Sequence, residues 1–256
     1  MSAYRWIEFR RLEFRAELIL KNPPKNFLTA ELLSEVVEAI EPLKEDENLK
    51  VFIIKGFGNQ FCGGYDWAEL TADRVGIFMP LYTRVFHFLN QIKGITIAAV
   101  KGEALGPGTE LAIFCDITFA ARSARFGFLE LRAGIFPPIA TAVLPRLSGR
   151  NRALDWIFSA KLFTAQEAWE GHMVARVFPD EELDEFVDDY TTRITTLSAP
   201  AVVLAKRAVD GALYSPVIEA LKTTESTFMI DLMKCLDPQE GIAAAIEGRT
   251  PIWKNR

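Results

Sequence analysis

The stretch Ile97-Ala98-Ala99-Val100-Lys101-Gly102-Glu103-Ala104-Leu105-Gly106-Pro107-Gly108-Thr109-Glu110-Leu111-Ala112 passes from strand to turn to helix. Ile95 to Val100, apolar except at Thr96, reads as a buried strand ending in Lys101-Gly102. The Gly106-Pro107-Gly108 turn then opens a helix through Leu111 and Phe114, because proline is favoured in the first helical turn.

Upstream, Trp6 to Arg10 and Ala16 to Leu20 read as short strands, and Asn22 to Asn26 is dense in turn formers. Thr29 is an N-cap for a helix whose apolar positions Leu32, Leu33, Val36, Val37 and Ile40 recur until Pro42. Val51 to Ile54 is a second buried strand, leading into Lys55-Gly56-Phe57-Gly58-Asn59, and an amphipathic helix follows between Asp73 and Ile92, with His87 on its apolar face. Downstream, Ile117 to Ala120 is a strand and Phe126 to Gly134 a loop with turns. Beyond Pro145 the residues 150–160, 164–171, 180–196, 199–212 and 216–234 are helix-like, with strand signal at Met173 to Val177. Strands alternating with crossover helices predict an α/β fold with parallel pairing and both sheet faces covered.

The 256 residues are 50% hydrophobic and 25% charged, enough apolar material for a core and too little polar bias for disorder. A formal charge of -5 argues against a nucleic-acid partner. The cysteines Cys62, Cys115 and Cys235 form no metal or disulfide spacing and read as reduced thiols. Residues 1–10 lack the apolar stretch of a signal peptide, and no later run reaches the roughly 18 apolar residues of a membrane span, so a cytoplasmic protein is expected.

Glu110 follows the Gly106-Pro107-Gly108 turn, and Glu130 follows Phe126-Gly127 in a separate element. Two carboxylates delivered into one apolar cleft suit acid–base work, since burial raises the pKa of a carboxyl group. The plainer alternative makes Glu110 a partner of its own helix dipole and Glu130 a surface ion pair. Phe61-Cys62-Gly63-Gly64-Tyr65-Asp66-Trp67 also punctuates the end of a strand, and its paired glycines allow either close approach of a ligand to the main chain or simply a tight turn. His87 and His172 lack partners at ligand spacing, and Cys62 lacks a neighbouring base to lower its pKa, so these three read as packing or surface residues.

These segments together resemble the enoyl-CoA hydratase/isomerase (crotonase) superfamily, from about Trp6 to the C-terminus. The likeness is carried by 61–66, 97–112, Cys115-Asp116, Phe126-Gly127 through Glu130, Gly134, Phe163-Thr164-Ala165-Gln166-Glu167-Ala168 and Glu240-Gly241. It implies a crotonase-like β/α spiral of ββα repeats, with a core over 1–195 and a C-terminal helical trimerisation region over 196–256. It also implies a homotrimer or homohexamer, an acyl-CoA substrate, and no cofactor beyond the coenzyme A that the substrate carries.

By the same resemblance, Glu110 and Glu130 are the catalytic pair that brackets a water. The oxyanion hole for the thioester maps to Tyr65, Pro107 and Gly108, and CoA or substrate binding to Lys25, Gly63, Gly64, Asp66, Trp67, Gly106, Phe136, Pro138 and Ile139. The run Leu129 to Thr141, with Leu232 to Asp237, Glu240-Gly241 and Trp253 to Arg256 of the tail, is most similar to the cyclic dienoyl-CoA hydratases of anaerobic aromatic degradation, which implies a substrate with an alicyclic ring conjugated with the thioester.

The chain departs from the family pattern in three places. Pro107 replaces a glycine whose N–H completes the oxyanion hole, and proline has no N–H to give. Either the Gly108 N–H substitutes, or the hole has one leg and turnover is slow, or acyl-CoA is bound without reaction. Pro138 replaces a glycine that places the water in simple hydratases, which argues against straight-chain substrates. Gly248 stands where the family has a CoA-contacting lysine, leaving Arg249 or Lys254 for that role. Isomerase, C–C hydrolase and decarboxylase chemistries share the scaffold, and retention of both glutamates disfavours decarboxylation.

Overall fold

The computed structural model describes residues 4–213 and 215–256. Strands β1 (Ile7–Arg11) and β2 (Arg15–Leu20) form an antiparallel hairpin, followed by helix α1 (Ala30–Ile40), β3 (Val51–Gly56), α2 (Val75–Gln91) and β4 (Ile95–Val100). The chain continues through β5 (Glu103–Leu105), α3 (Pro107–Phe114), β6 (Ile117–Ala121), β7 (Arg125–Gly127), α4 (Pro138–Ser159), β8 (Leu162–Thr164), α5 (Ala165–Glu170) and β9 (Arg176–Phe178). Helices α6 (Leu183–Thr195), α7 (Ala199–Ala212), α8 (Val217–Ser226) and α9 (Leu236–Glu247) complete it.

The larger sheet has the order β1-β2-β3-β4-β6-β9, parallel from β2 onward, and β5-β7-β8 form a second, three-stranded sheet. Register places Ile97 beside both Ile53 and Ile117. Strand alternation splits the core accordingly. Val51, Ile53, Ile97, Ala99 and Phe119 face Leu183 and Val187 of α6, whereas Phe52, Ile54, Ala98, Val100 and Ala120 face α1, α2 and α3 in the main core. This is the crotonase-like β/α architecture that the resemblance implies.

Local chemistry explains the boundaries. Thr29 caps α1 by accepting the Leu32 N–H at 3.2 Å, and Pro42 follows its end. Helix α2 buries Phe78, Tyr82, Val85, Phe86 and Leu89 along one stripe. His87 falls outside that stripe and is exposed, which corrects its placement on the apolar face.

Other expectations also shift. The strand signal at Met173 to Val177 is displaced to β9, because the Met173 and Val174 N–H groups both donate to the Ala168 carbonyl and thereby finish the end of α5. Helix 150–160 is present, but only as the second arm of α4, which kinks at Gly149 (φ 74°). The first arm begins twelve residues earlier, at Pro138. Residues 126–134 are not all loop: β7 and a 3₁₀ turn at Glu130–Ala133 occupy most of them. Helix 216–234 divides into α8 and a π-helical turn, Thr227–Leu232.

No helix among the described residues is long and apolar enough to cross a membrane. Helices α7 to α9 and the π-helical turn leave Leu213, Val217, Ile218, Leu221, Phe228, Met229 and Ile246 largely exposed.

Candidate active site

Two glycine-rich turns meet at the start of α3. Cys62 bridges to Ala104, its N–H donating to the Glu103 carbonyl and its carbonyl accepting the Leu105 N–H, both at 2.9 Å. A Cβ at Gly108 would lie 2.4 Å from the Cys62 carbonyl oxygen, so only glycine permits this contact. Leu28 bridges to Tyr65 on the other side, through Leu28 N–H to Gly64 O and Asp66 N–H to Leu28 O. Those bonds use the amides flanking Tyr65 and not the Tyr65 N–H itself.

Glu110 lies in the first turn of α3 and is fully buried. Its Oε1 accepts the Ile139 and Ala140 N–H groups, each at 2.7 Å, and its Oε2 accepts the Tyr82 hydroxyl in a short bond. Helix α4 begins at Pro138, and the preceding Pro137 offers no side-chain cap. The Glu110 carboxylate therefore takes the place of a capping side chain, satisfying donors that α4 cannot satisfy internally. Burial is the main influence on this carboxyl and pushes its pKa up to about 8, while its three donors pull the other way.

Glu130 opens the 3₁₀ turn after β7 and is 1% exposed. Neither of its carboxylate oxygens has a hydrogen-bond partner, and they are the only such buried side-chain polar atoms among the described residues. Burial pushes its pKa up to about 7, against the pull of the Glu130 and Leu129 main-chain N–H groups, which lie outside ordinary hydrogen-bond geometry. The two glutamates influence common neighbours: the Glu130 charge adds to burial in raising the pKa of Glu110, and burial and then both charges raise that of Tyr65. Desolvation favours the protonated form of each carboxyl group. An unpartnered buried carboxyl is costly to keep, and here it faces the space where Gly106 has no side chain.

The remaining expected positions fall in several environments. The Tyr65 ring packs edge-on to Phe78 (5.8 Å) and obliquely against Tyr82 and Trp67 (6.0 Å each). Asp66 caps the 3₁₀ turn Trp67–Leu70 through the Ala68 N–H, and Trp67 is half exposed. Gly63 donates to the Lys25 carbonyl at 2.7 Å, and the Lys25 ammonium pairs with Glu103 at 3.0 Å. Gly64 adopts φ 119°, suited to glycine. Phe136 is exposed, Pro138 opens α4, and Ile139 packs against the main core. Pro107 is the first residue of α3 and Gly108 the second. Arg249 is occupied by Glu240 at 2.6 Å and Glu247 at 2.5 Å. Cys62 is buried and its thiol is pushed up to about 12, in keeping with its reading as unreactive.

The residues missed by sequence reasoning are Tyr82 and Ala140. Tyr82 shares helical spacing with Phe78 and Phe86 and so looks like another core aromatic, while Ala140 contributes only its main chain. A charged cleft of about 860 Å³ on the opposite sheet face, bordered by Arg15, Glu17, Lys55, Lys101, Asp184 and Asp188, neutralises itself through internal ion pairs.

Comparison with known proteins converges on one family. Residues 16–256 match the model of the Enoyl-CoA hydratase/isomerase family. A Mycobacterium bovis protein carrying the name "Probable enoyl-CoA hydratase echA8" is 34% identical over 249 residues, covering 94% of this chain and 95% of that protein. The crotonyl-CoA hydratase of Syntrophomonas wolfei is 32% identical, with 96% of this chain and 97% of that protein covered. The crystal structure of enoyl-CoA hydratase from Bacillus anthracis superposes with a TM-score of 0.92 at 30% identity, covering 98% of this chain and all of that one.

Proposed function

Because the chain belongs to the enoyl-CoA hydratase/isomerase family, we propose that it adds water across the double bond of an enoyl-CoA thioester, using Glu110 and Glu130 as the proton-exchanging pair. The observation that carries this reading is the shared burial of the two carboxyl groups, one fully hydrogen-bonded and the other without any partner.

In the proposed reaction the water oxygen bonds to Cβ and gives its proton to one glutamate. The π electrons of the double bond move onto the thioester oxygen, and the other glutamate delivers its proton to Cα as the enolate collapses. Proton transfer between the pair restores the starting state. The developing oxyanion takes hydrogen bonds from the Tyr65 N–H and the Gly108 N–H, each worth about 3–4 kcal/mol in comparable sites. Gly108 serves because Pro107 has no N–H, and because its contact with Cys62 draws the start of α3 against the Tyr65 turn.

The acyl group is an alicyclic ring conjugated with the thioester, as in a cyclic dienoyl-CoA. The half-exposed Trp67 and exposed Phe136 offer flat apolar surface for such a ring, and Pro138 withholds the N–H that would place water for a straight chain. Lys25, Gly63, Gly64, Asp66, Gly106 and Ile139 line the path of the CoA ester. The apolar surface of residues 196–256 assembles three copies, or six, and no resident cofactor takes part.

A panel of straight-chain and cyclic acyl-CoA esters analysed by mass spectrometry tests this reading. It predicts a product heavier by one water from the cyclic dienoyl ester. Tight binding of acyl-CoA with no product from any ester would make the protein a binder instead.

A further inference from the structure

Tyr82 is the largest fully buried side chain that contacts the candidate site, and it belongs to a helix outside both glycine-rich turns. Its ring stacks on Phe78 at 5.8 Å and meets Phe86 edge-on at 4.9 Å, so the hydroxyl has little freedom to swing away from Glu110. Burial and the neighbouring Glu110 charge both raise the Tyr82 pKa, keeping the phenol protonated and able to donate.

The titratable groups facing Glu110 are Tyr82 from α2, Tyr65 from the preceding loop and Glu130 from the 3₁₀ turn. Neither glutamate takes part in an ion pair among the described residues, so no cation decides which of them is ionised. Burial and hydrogen bonds act against each other at Glu110 instead. Glu110 accepts three hydrogen bonds, whereas Glu130 accepts none of ordinary geometry and is influenced only by the main-chain N–H groups of Leu129 and Glu130, and bonds donated to a carboxylate favour its charged form.

We propose that Tyr82 is a positioning residue for Glu110: its hydroxyl, with the Ile139 and Ala140 N–H groups, fixes the Glu110 carboxyl at the α4 N-terminus and favours its charged form against burial. Resting on the hydratase reading, this sets the pH range in which Glu110 exchanges a proton during turnover. The two main-chain donors belong to the α4 N-terminus and persist under ordinary side-chain exchange, so Tyr82 is the readily separable element of the arrangement.

Tyr82→Phe keeps the ring and removes the donor. The first readout is an infrared titration of the resting protein with ¹³C-carboxyl-labelled glutamate, the Glu110 band being assigned by its loss in Glu110→Gln. In Tyr82→Phe the Glu110 carboxyl should titrate about one pH unit higher, since a hydrogen bond to a charged group is worth roughly that much. An unchanged titration overturns the proposal. The second readout is the pH profile of kcat: the acidic limb should rise by a similar amount and kcat near neutral pH should fall about tenfold, with KM changed less than twofold. A raised KM with an unmoved limb means that Tyr82 only packs, and it overturns the proposal.

If Tyr82→Phe fails to fold, 3,5-difluorotyrosine at position 82 keeps the shape and donates more strongly. Both the titration and the limb should then move to lower pH, and movement upward or none at all overturns the proposal. If the native protein turns over no acyl-CoA, the hydratase reading fails, and the infrared titration alone decides the role of Tyr82.

Discussion

A Cβ on Gly106 would lie 2.6 Å from Glu130 Oε1. Gly106 also adopts φ 51°, ψ −117°, a region that side chains rarely enter, so glycine is demanded twice at this point. Gly106→Ala should cost about 1–3 kcal/mol of stability through backbone strain. By displacing the Glu130 carboxyl it should also lower kcat about 10²-fold. Urea denaturation and steady-state kinetics on the same preparation check both. Turnover unchanged within a factor of about three would remove Glu130 from the chemistry.

Glu110 combines two roles that different substitutions separate. Glu110→Gln keeps an oxygen for the Ile139 and Ala140 N–H groups and should lower turnover at least ~10²-fold with under about 1 kcal/mol lost in stability. Glu110→Ala also uncaps α4 and leaves the Tyr82 hydroxyl without its acceptor, at a cost of about 2 kcal/mol or more. Equal melting behaviour in the two variants would contradict the capping role.

Burial holds both carboxyl groups above their ordinary value of 4.5, at about 8 and about 7. The folded state therefore binds protons that the unfolded chain has already released between about pH 4.5 and 8. Stability must fall as pH rises through that window, and the penalty is complete above the folded-state values. Denaturation midpoints for native protein and Glu130→Gln, measured from pH 5 to pH 8.5 or so, should show a shallower decline in the variant. Parallel curves would show that Glu130 titrates normally.

If the Gly108 N–H serves the oxyanion, Pro107→Gly should leave kcat within a factor of about two and cost roughly 1 kcal/mol of stability, because proline restricts the unfolded chain. A tenfold or larger acceleration would show instead that the N–H missing at position 107 limits the native rate.

Much of the scaffold was legible because periodicity and caps agree. Ile95–Val100 is a strand at the expected residues, and Thr29 caps α1 as expected. The three-residue strands β5 and β8 are too short to show a period, and the first arm of α4 is masked by Pro137, Pro138 and Pro145. Without the family resemblance Glu110 and Glu130 read only as acids after turns, because their environments depend on Gly106 and the α4 N-terminus, which are far apart along the chain. Tyr82 was hidden by its own packing, since its apolar neighbours at one-turn spacing conceal a hydroxyl directed at Glu110.

The most direct test of the central claim follows the cyclic dienoyl-CoA ester in ¹⁸O-labelled water with native protein and with Glu130→Gln. Native protein should place one ¹⁸O on the acyl group at Cβ, and Glu130→Gln should do so at least ~10²-fold more slowly. Incorporation at equal rates in the two proteins, or product formed without ¹⁸O, would contradict hydration by this glutamate pair.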